Sequence, residues 1–163
     1  MRIDLIAPPY SGHLHPVLAM ACELAAQHEV RVLSTPSAMP QIARAGLAGV
    51  PLLDEAAERR LDAISDPRHA VRSHPLRMHR QLRGALDVMA GFADALQALY
   101  ADPATRPGLL IADFTVPAAG AVAQALGIRW WTSLPSPCVL ESPDGPPAYM
   151  GGLLPATHAG QRI

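Results

Sequence analysis

The sequence A-P-P-Y-S-G-H-L-H-P, Ala7 to Pro16, joins a short apolar run to an amphipathic helical pattern. The run before it is typical of a strand buried on both faces, and Pro16 suits the first position of a helix. In open α/β sheets, ligands bind at loops that leave the carboxyl end of a strand and lead into a helix. This loop offers Gly12 for a tight turn, together with His13 and His15. Because histidine takes and returns a proton near neutral pH, the loop is predicted to lie at a functional site.

Strand and helix patterns alternate along the chain as far as Ser133. This alternation predicts an α/β fold, a Rossmann-like parallel sheet with right-handed crossovers and helices on both faces. We expect the strand order 3-2-1-4-5. The predicted strands are Arg2–Ala7, Glu29–Ser34, Gly49–Leu53, Leu109–Ala112 and Ile128–Ser133.

The predicted helices lie between these strands. They are Pro16–His28, Thr35–Ala45, Met78–Leu99 and Thr115–Gly127. Ser37 and Thr115 are expected as N-caps, and Gly46 and Gly127 as C-caps. The charged segment Asp54–His79, which prolines interrupt, is predicted to be a long, partly helical excursion at the surface.

Charge and composition restrict the classes of function. With 13 basic and 14 acidic residues there is no basic excess to hold a phosphate backbone, so nucleic-acid binding is not expected. Cys22 and Cys138 lack metal-ligand spacing and are too few for a disulfide framework, which favours a reduced, cytoplasmic protein. The apolar stretch Gly108–Trp131 contains Asp113 and Pro117, and is therefore predicted to be a buried strand and helix rather than a transmembrane segment.

The domain organisation is interpreted as one domain, residues 1–163, that is incomplete. The chain is long enough for a sizeable core. After Ser133, prolines and glycines predict an irregular segment, and no further strand or helix pattern follows before Ile163. Either the sequence is truncated there, or the other half of the protein is on another chain.

Two chemically active side chains are predicted to meet at one edge of the sheet. His13 follows the first strand and Asp113 ends the fourth, and the carboxyl ends of parallel strands lie at the same edge. A carboxylate behind an imidazole fixes its tautomer and stabilises the imidazolium that forms when it accepts a proton. The alternatives are a loop histidine without a proton-transfer role and an aspartate that only caps the following helix.

Four segments together resemble a known family. They are G-H-L-H-P-V-L-A-M-A-C-E-L-A from Gly12, E-V-R-V-L-S-T-P from Glu29, A-D-F-T-V-P-A-A from Ala112 and A-Q-A-L-G-I from Ala123. In order and spacing this sequence resembles the N-terminal half of nucleotide-sugar-dependent glycosyltransferases with two Rossmann domains. It is most similar to the UDP-glycosyltransferase-like class that acts on plant and bacterial natural products. Arg129 stands where that class usually has proline.

The resemblance implies a GT-B-type fold and an inverting sugar transfer. His13 matches the catalytic base that deprotonates the acceptor hydroxyl, and Asp113 matches the carboxylate that orients it. The hydroxyl attacks the anomeric carbon of a nucleoside-diphosphate sugar, which is a co-substrate, and no metal or resident cofactor is implied. The donor-binding motif of the family lies in a C-terminal domain that this chain does not contain. The chain alone is therefore expected to be inactive, and a dimer is possible.

An apolar acceptor pocket is expected from the Asp54–Leu99 region and the segment after Ser133. The predicted acceptor-site residues are Gly12, Met78, Leu82, Met89, Trp131 and Ser136. A place in the hydrophobic core is the alternative for Met78, Met89 and Phe92.

Two other functions remain open at the level of the sequence. One is a non-catalytic auxiliary protein of the same fold, against which the retained His13 and Asp113 argue. The other is a sugar-nucleotide epimerase. A dinucleotide oxidoreductase is disfavoured because no G-x-G-x-x-G follows the first strand. The sequence leaves open the acceptor, the sugar, the nucleotide and the oligomeric state.

Overall fold

Strands and helices alternate along the part of the chain that the computed structural model describes, residues 1–66 and 75–135. The strands are β1 (Arg2–Ile6), β2 (Glu29–Ser34), β3 (Ala48–Pro51), β4 (Leu109–Asp113) and β5 (Trp130–Ser133). The helices are α1 (Ser11–Ala25), α2 (Met39–Arg44), α3 (Glu55–Ser65), α4 (Pro75–Leu99) and α5 (Pro117–Ala125). These elements form one unit, Met1–Ser133.

The sheet has the order β3-β2-β1-β4-β5 and every pairing in it is parallel. This confirms the predicted order and direction. The central strands β1 and β4 pair along their length, with Ile6 beside Ala112 at their carboxyl ends. Both strands are rich in apolar residues because helices cover both of their faces. Residues of β1 alternate accordingly, since Ile6 packs in a cluster with α4 and α5, whereas Leu5 packs in a cluster with α1 and α2.

Helix α1 begins at Ser11, five residues before the predicted start at Pro16. Tyr10 is its N-cap, and the Tyr10 carbonyl accepts hydrogen bonds from the N–H groups of His13 at 2.9 Å and Leu14 at 2.8 Å. The side chain of Leu14 is fully buried, so packing extends the helix past the proline. Pro16 lies inside the helix and cannot donate to the Gly12 carbonyl one turn back.

The predicted tight turn at Gly12 is therefore wrong. Gly12 lies in the first turn of α1, and the glycines with positive φ in the described residues are Gly46 and Gly127. His13 and His15 are likewise helical rather than in a loop. Gly46 and Gly127, at φ 74° and 68°, do end helices as predicted.

The two predicted N-caps are both wrong, because each side chain is used elsewhere. Ser37 lies in a short 3₁₀ turn before α2, and its N–H donates to Glu58 Oε1 at 3.2 Å. The Thr115 hydroxyl donates to Asp113, and α5 begins at Pro117 without a side-chain cap. The Ser37 hydroxyl donates to Glu58, and the Thr115 hydroxyl donates to Asp113. Neither hydroxyl is therefore free to cap a helix.

The region between β3 and β4 is more helical than the partly helical surface segment that its charged sequence predicted. Asp54 caps α3 by accepting a hydrogen bond from the Ala57 N–H at 2.7 Å. Helix α4 begins at Pro75, three residues before the predicted start. The described part of the Asp54–His79 segment therefore consists mainly of the two helices α3 and α4.

Helix α4 buries apolar residues only towards its carboxyl end. Val88, Phe92 and Leu96 are buried, whereas the side chains of Met78 and Leu82 are 61% and 58% exposed. The core placement therefore holds for Phe92 and is wrong for Met78. Apolar residues occupy two adjacent rows of this helix, and the periodicity of the sequence does not show which row faces the sheet.

A buried ion pair joins the adjacent strands β1 and β2. Asp4 on β1 accepts hydrogen bonds from Arg31 on β2, from Nε at 2.8 Å and from Nη2 at 2.6 Å. The Tyr100 hydroxyl donates to Asp4 Oδ2 at 2.7 Å. Burial, followed by the neighbouring Asp4 charge, raises the pKa of Tyr100, and the hydrogen bonds to Asp4 raise the pKa of Arg31. Tyr100 is thus a neutral donor at this buried carboxylate.

Replacing Gly120 by alanine should destabilise the domain. A Cβ at this position of α5 would lie 2.8 Å from two ring atoms of Trp130 on β5, so the indole must move. We expect a loss of about 1–2 kcal/mol in the free energy of unfolding, measured with denaturant.

Gly84→Ala in α4 is the matched control, because its Cβ would lie 3.5 Å from Ile64, an ordinary contact. This control should gain up to about 1 kcal/mol from helix propensity. Equal effects of the two substitutions would contradict the contact with Trp130.

Candidate active site

The site lies where the adjacent strands β1 and β4 end. The chain leaves β1 into α1, whose first turn carries His13, and β4 ends at Asp113. His13 Nδ1 lies 3.1 Å from Asp113 Oδ1 and 3.1 Å from Oδ2. The structure therefore brings together the two residues that the sequence predicted as a pair, although they are one hundred positions apart.

Asp113 is buried, and its carboxylate is well supplied with donors. Oδ1 accepts from the Thr115 N–H at 3.0 Å and from the Thr115 hydroxyl at 2.5 Å, in addition to its contact with His13. A buried ion is costly unless such hydrogen bonds replace water. This environment therefore suits an ionised carboxylate that remains in place beside an imidazole.

His13 is held on one side and accessible on the other. Its side chain is 26% exposed, and its ring lies 5.6 Å from the ring of Phe114 with an interplanar angle of 40°. An ionised carboxylate only accepts hydrogen bonds, so the Nδ1 atom that faces Asp113 carries the proton and Nε2 carries the lone pair. This arrangement can remove a proton from a hydroxyl that lies next to Nε2.

An apolar cavity of about 490 Å³ opens beside His13. It lies between the start of α1, the turn after β4, and helices α3 and α4. The residues that line it near the strand ends are Pro8, Tyr10, His13, Thr115 and Val116. Those contributed by the two helices include Leu61, Ile64, Ser65, Val88, Met89 and Phe92. This volume is within the range of small-molecule sites, and the lining suits a mostly apolar ligand.

Only some of the predicted acceptor-site residues lie at this cavity. Met89 lines it, whereas Met78 and Leu82 lie farther towards the amino end of α4 and do not. Gly12 is exposed in α1 and does not line the cavity either. Ser136 is outside the described residues.

Trp131 is placed at a different surface. It is 61% exposed on β5 and lines a separate open groove of about 740 Å³, together with Met20, Cys22 and Leu24 of α1. This groove lies on the α1 face of the sheet, whereas α4, which lines the cavity beside His13, packs on the other face.

Tyr10 and the carboxyl end of α3 are cavity residues that the sequence reasoning missed. The Tyr10 hydroxyl donates to Ser65 Oγ at 2.8 Å, which ties the start of α1 to α3. Burial raises the pKa of Tyr10, and the nearby acidic residues Asp62 and Glu58 add to this effect. Leu61, Ile64 and Ser65 follow the helical spacing of three to four residues, a signal that the charged composition of the segment obscured.

Two kinds of feature are not found in the described ranges. Across residues 1–66 and 75–135, no group of three or more His, Cys, Asp or Glu side chains is arranged to hold a metal ion. Among the helices of the same part of the chain, none combines the length and apolar character needed to cross a lipid bilayer.

The strand order and the crevice at the ends of β1 and β4 define a Rossmann-like α/β protein. No family model matches the sequence, and no curated protein matches it. Solved structures do match. The glycosyltransferase of kitacinnamycin is 26% identical with a TM-score of 0.63, over 83% of this chain and 30% of that one. SsfS6 of Streptomyces sp. SF2575, a glycosyltransferase, is 26% identical with a TM-score of 0.59, over 81% of this chain and 38% of that one.

A third match agrees in fold. SnogD from Streptomyces nogalater, also a glycosyltransferase, is 23% identical with a TM-score of 0.62, over 85% of this chain and 35% of that one. The chain thus spans about a third of the length of the solved structures that it matches. Its Rossmann-like sheet matches these natural-product glycosyltransferases, and its fold is that of an N-terminal domain of the UDP-glycosyltransferase-like type.

Proposed function

We propose that this chain is the acceptor-binding domain of an inverting glycosyltransferase that acts on a small apolar natural product. The observation that carries the proposal is the hydrogen-bonded pair His13 and Asp113 at the edge of an apolar cavity. The fold shared with natural-product glycosyltransferases supports the reaction class. A cavity lined mainly by aliphatic and aromatic side chains supports the class of acceptor.

The proposed reaction begins with an acceptor bound in the cavity, with one hydroxyl next to His13 Nε2. The imidazole takes the hydroxyl proton as the oxygen attacks the anomeric carbon of the sugar. The bond to the nucleoside diphosphate breaks, the diphosphate leaves with the bonding electron pair, and the configuration at the anomeric carbon inverts. Asp113 stabilises the imidazolium that forms and keeps the ring oriented. No resident cofactor takes part, because the nucleotide sugar is consumed as a co-substrate.

The nucleotide sugar is proposed to bind mainly outside this domain. SsfS6 has been solved in complex with thymidine diphosphate, and this chain matches 38% of that structure. A diphosphate needs backbone donors at a helix N-terminus or cationic clamps, and the cavity beside His13 is mainly apolar. We therefore assign the donor to a second, C-terminal domain.

The other functions considered from the sequence are not favoured. A non-catalytic auxiliary protein has no need of a buried carboxylate hydrogen-bonded to a histidine beside a cavity. An epimerase acts on the nucleotide sugar itself, and the apolar lining of the cavity offers few groups to bind a sugar diphosphate.

Ligand titration of the chain tests the proposal. We expect weak binding of an aromatic or polyketide-like acceptor and hardly any binding of a nucleotide sugar, measured by calorimetry or ligand-observed NMR. Ala85→Trp, which fills the cavity, should weaken acceptor binding about tenfold or more. Ala90→Trp is the matched control, because Ala90 is exposed on the same helix and does not line the cavity.

Two results would contradict the proposal. Micromolar binding of a free nucleotide sugar to this chain would assign it to the other half of the enzyme or to another family. Equal effects of the two tryptophan variants on acceptor binding would show that the acceptor does not occupy the cavity beside His13.

A further inference from the structure

Thr115 contacts the candidate active site through both of its hydrogen-bond donors. Its N–H and its hydroxyl donate to the same atom, Asp113 Oδ1, at 3.0 Å and 2.5 Å. The hydroxyl bond is the shortest that this carboxylate makes among the described residues. Because α5 begins at Pro117 without a side-chain cap, neither donor serves that helix. The two bonds therefore act on the carboxylate alone.

We propose that Thr115 is a positioning residue: its hydroxyl fixes the orientation of the Asp113 carboxylate and thereby holds His13 in the proton-accepting tautomer. The inference rests on the proposed function, in which His13 is the base, and extends it by a residue that touches neither reacting atom. Charge-assisted hydrogen bonds of this length are among the stronger contacts that a protein makes.

The turn that carries Thr115 leaves the carboxylate little freedom except rotation of its own side chain. The Phe114 N–H donates to the Ser133 carbonyl at 3.1 Å, and the Val116 N–H donates to the Asp113 carbonyl at 2.9 Å. The backbone on both sides of Thr115 is thus anchored. With Oδ1 held by Thr115, both carboxylate oxygens lie 3.1 Å from His13 Nδ1. Rotation of the carboxylate would break this symmetric contact.

Because Asp113 is buried, its carboxylate depends on the Thr115 hydroxyl as a donor. The Asp113 side chain has no exposed surface, so water cannot replace a donor that is lost. Without the Thr115 hydroxyl, Oδ1 keeps only the backbone N–H and the histidine. The carboxylate then gains by turning towards any other donor, and His13 loses its fixed partner. The expected result is a mixture of imidazole tautomers, of which only one leaves Nε2 free to accept a proton.

Thr115 also lines the cavity, and this second role makes a different prediction. A residue that only shapes the cavity changes the binding of the acceptor and therefore KM. A residue that positions the catalytic pair changes kcat and leaves KM nearly unchanged. Thr115→Val keeps the branched shape and removes the hydroxyl, whereas Thr115→Ser keeps the hydroxyl and removes a methyl group. The two variants therefore separate the roles.

The experiment uses two measurements. The first is the tautomer of His13, taken from the ¹⁵N signals of its ring in the 163-residue chain at a pH where the ring is neutral. Thr115→Val should lower the fraction with the proton on Nδ1, and Thr115→Ser should restore it.

The second measurement is transfer kinetics in a polypeptide that also carries the proposed donor-binding domain. Thr115→Val should lower kcat about tenfold, with KM changed less than about twofold, and Thr115→Ser should regain most of the lost kcat.

Each outcome supports or overturns the inference. If Thr115→Val keeps the tautomer and kcat of the original protein, Thr115 does not position the pair. If the valine and serine variants are equally impaired, the shape of the side chain and not its hydroxyl is what matters. A failure of the proposed function gives a different result, because His13→Ala would then leave transfer unchanged. The ring-nitrogen signals would still report whether Thr115 controls the tautomer.

Discussion

Replacing His13 by alanine should lower the rate of glycosyl transfer by about 10²–10⁴-fold, the usual contribution of a positioned general base. The reason is geometric, since His13 is the imidazole that Asp113 holds at the edge of the cavity. The loss should fall on kcat, because alanine leaves intact the apolar lining that we propose binds the acceptor. Steady-state kinetics of a polypeptide that joins this domain to the proposed donor-binding domain measure this.

The chain supplies a matched control for this experiment. His15 lies two residues farther along α1 and is exposed, and it does not line the cavity. His15→Ala should therefore leave kcat and KM close to their original values while making the same chemical change in the same helix. An unchanged kcat for His13→Ala, or an equal loss in both variants, would exclude His13 as the base.

Replacing Asp4 by alanine should lower the free energy of unfolding by about 3–5 kcal/mol. The side chain of Asp4 is fully buried, and its removal leaves the Arg31 guanidinium without its bidentate partner and the Tyr100 hydroxyl without its acceptor. Such a loss is a large part of the 5–15 kcal/mol that typically stabilises a domain. Denaturant unfolding followed by circular dichroism measures it.

Glu29→Ala is the control for this second substitution. Glu29 also accepts from an arginine, Arg2 at 3.0 Å, but the pair lies at the surface, where 61% of the Glu29 side chain is exposed. An exposed ion pair contributes about 0–1 kcal/mol, so this variant should be nearly as stable as the original protein. Similar losses from both substitutions would show that the Asp4 site is not desolvated in solution.

The sheet could be predicted because its signals are local and independent of one another. The central strands are short and largely apolar, and their alternation with helical patterns admits few topologies. The strand order in turn predicted that His13 and Asp113 meet, since β1 and β4 are neighbours and parallel. The proximity of these two side chains therefore followed from topology, without knowledge of any contact.

The ends of the helices could not be predicted in the same way, because tertiary contacts override local preference there. Pro16 is favourable at the start of a helix, but the burial of Leu14 extends α1 by five residues beyond it. Thr115 is a good N-cap by type, but its hydroxyl donates to the buried carboxylate of Asp113, two residues earlier. In both cases the burial of a nearby side chain decides, and a local window of sequence does not show which side chains the fold buries.

The cavity was predicted only in outline for a similar reason. Helix α4 has two rows of apolar residues, and only the packing shows that Val88 and Phe92 face inwards while Met78 and Leu82 do not. The Asp54–Leu99 region was expected to contribute, but Leu61 and Ile64 of α3 were not singled out because charged residues surround them in the sequence.

The distance along the chain between His13 and Asp113 has a consequence for how the domain assembles. Contacts between residues close in sequence form first, because closing a long loop costs more conformational entropy. The connections from β1 to β2 and from β2 to β3 each contain one short helical region, whereas β1 pairs with β4 across everything between them, including α3 and α4. The pair therefore belongs to the late, high-contact-order part of folding. During synthesis, the ribosome must pass Asp113 before His13 acquires its partner, so a nascent chain that stops earlier has the histidine without the carboxylate.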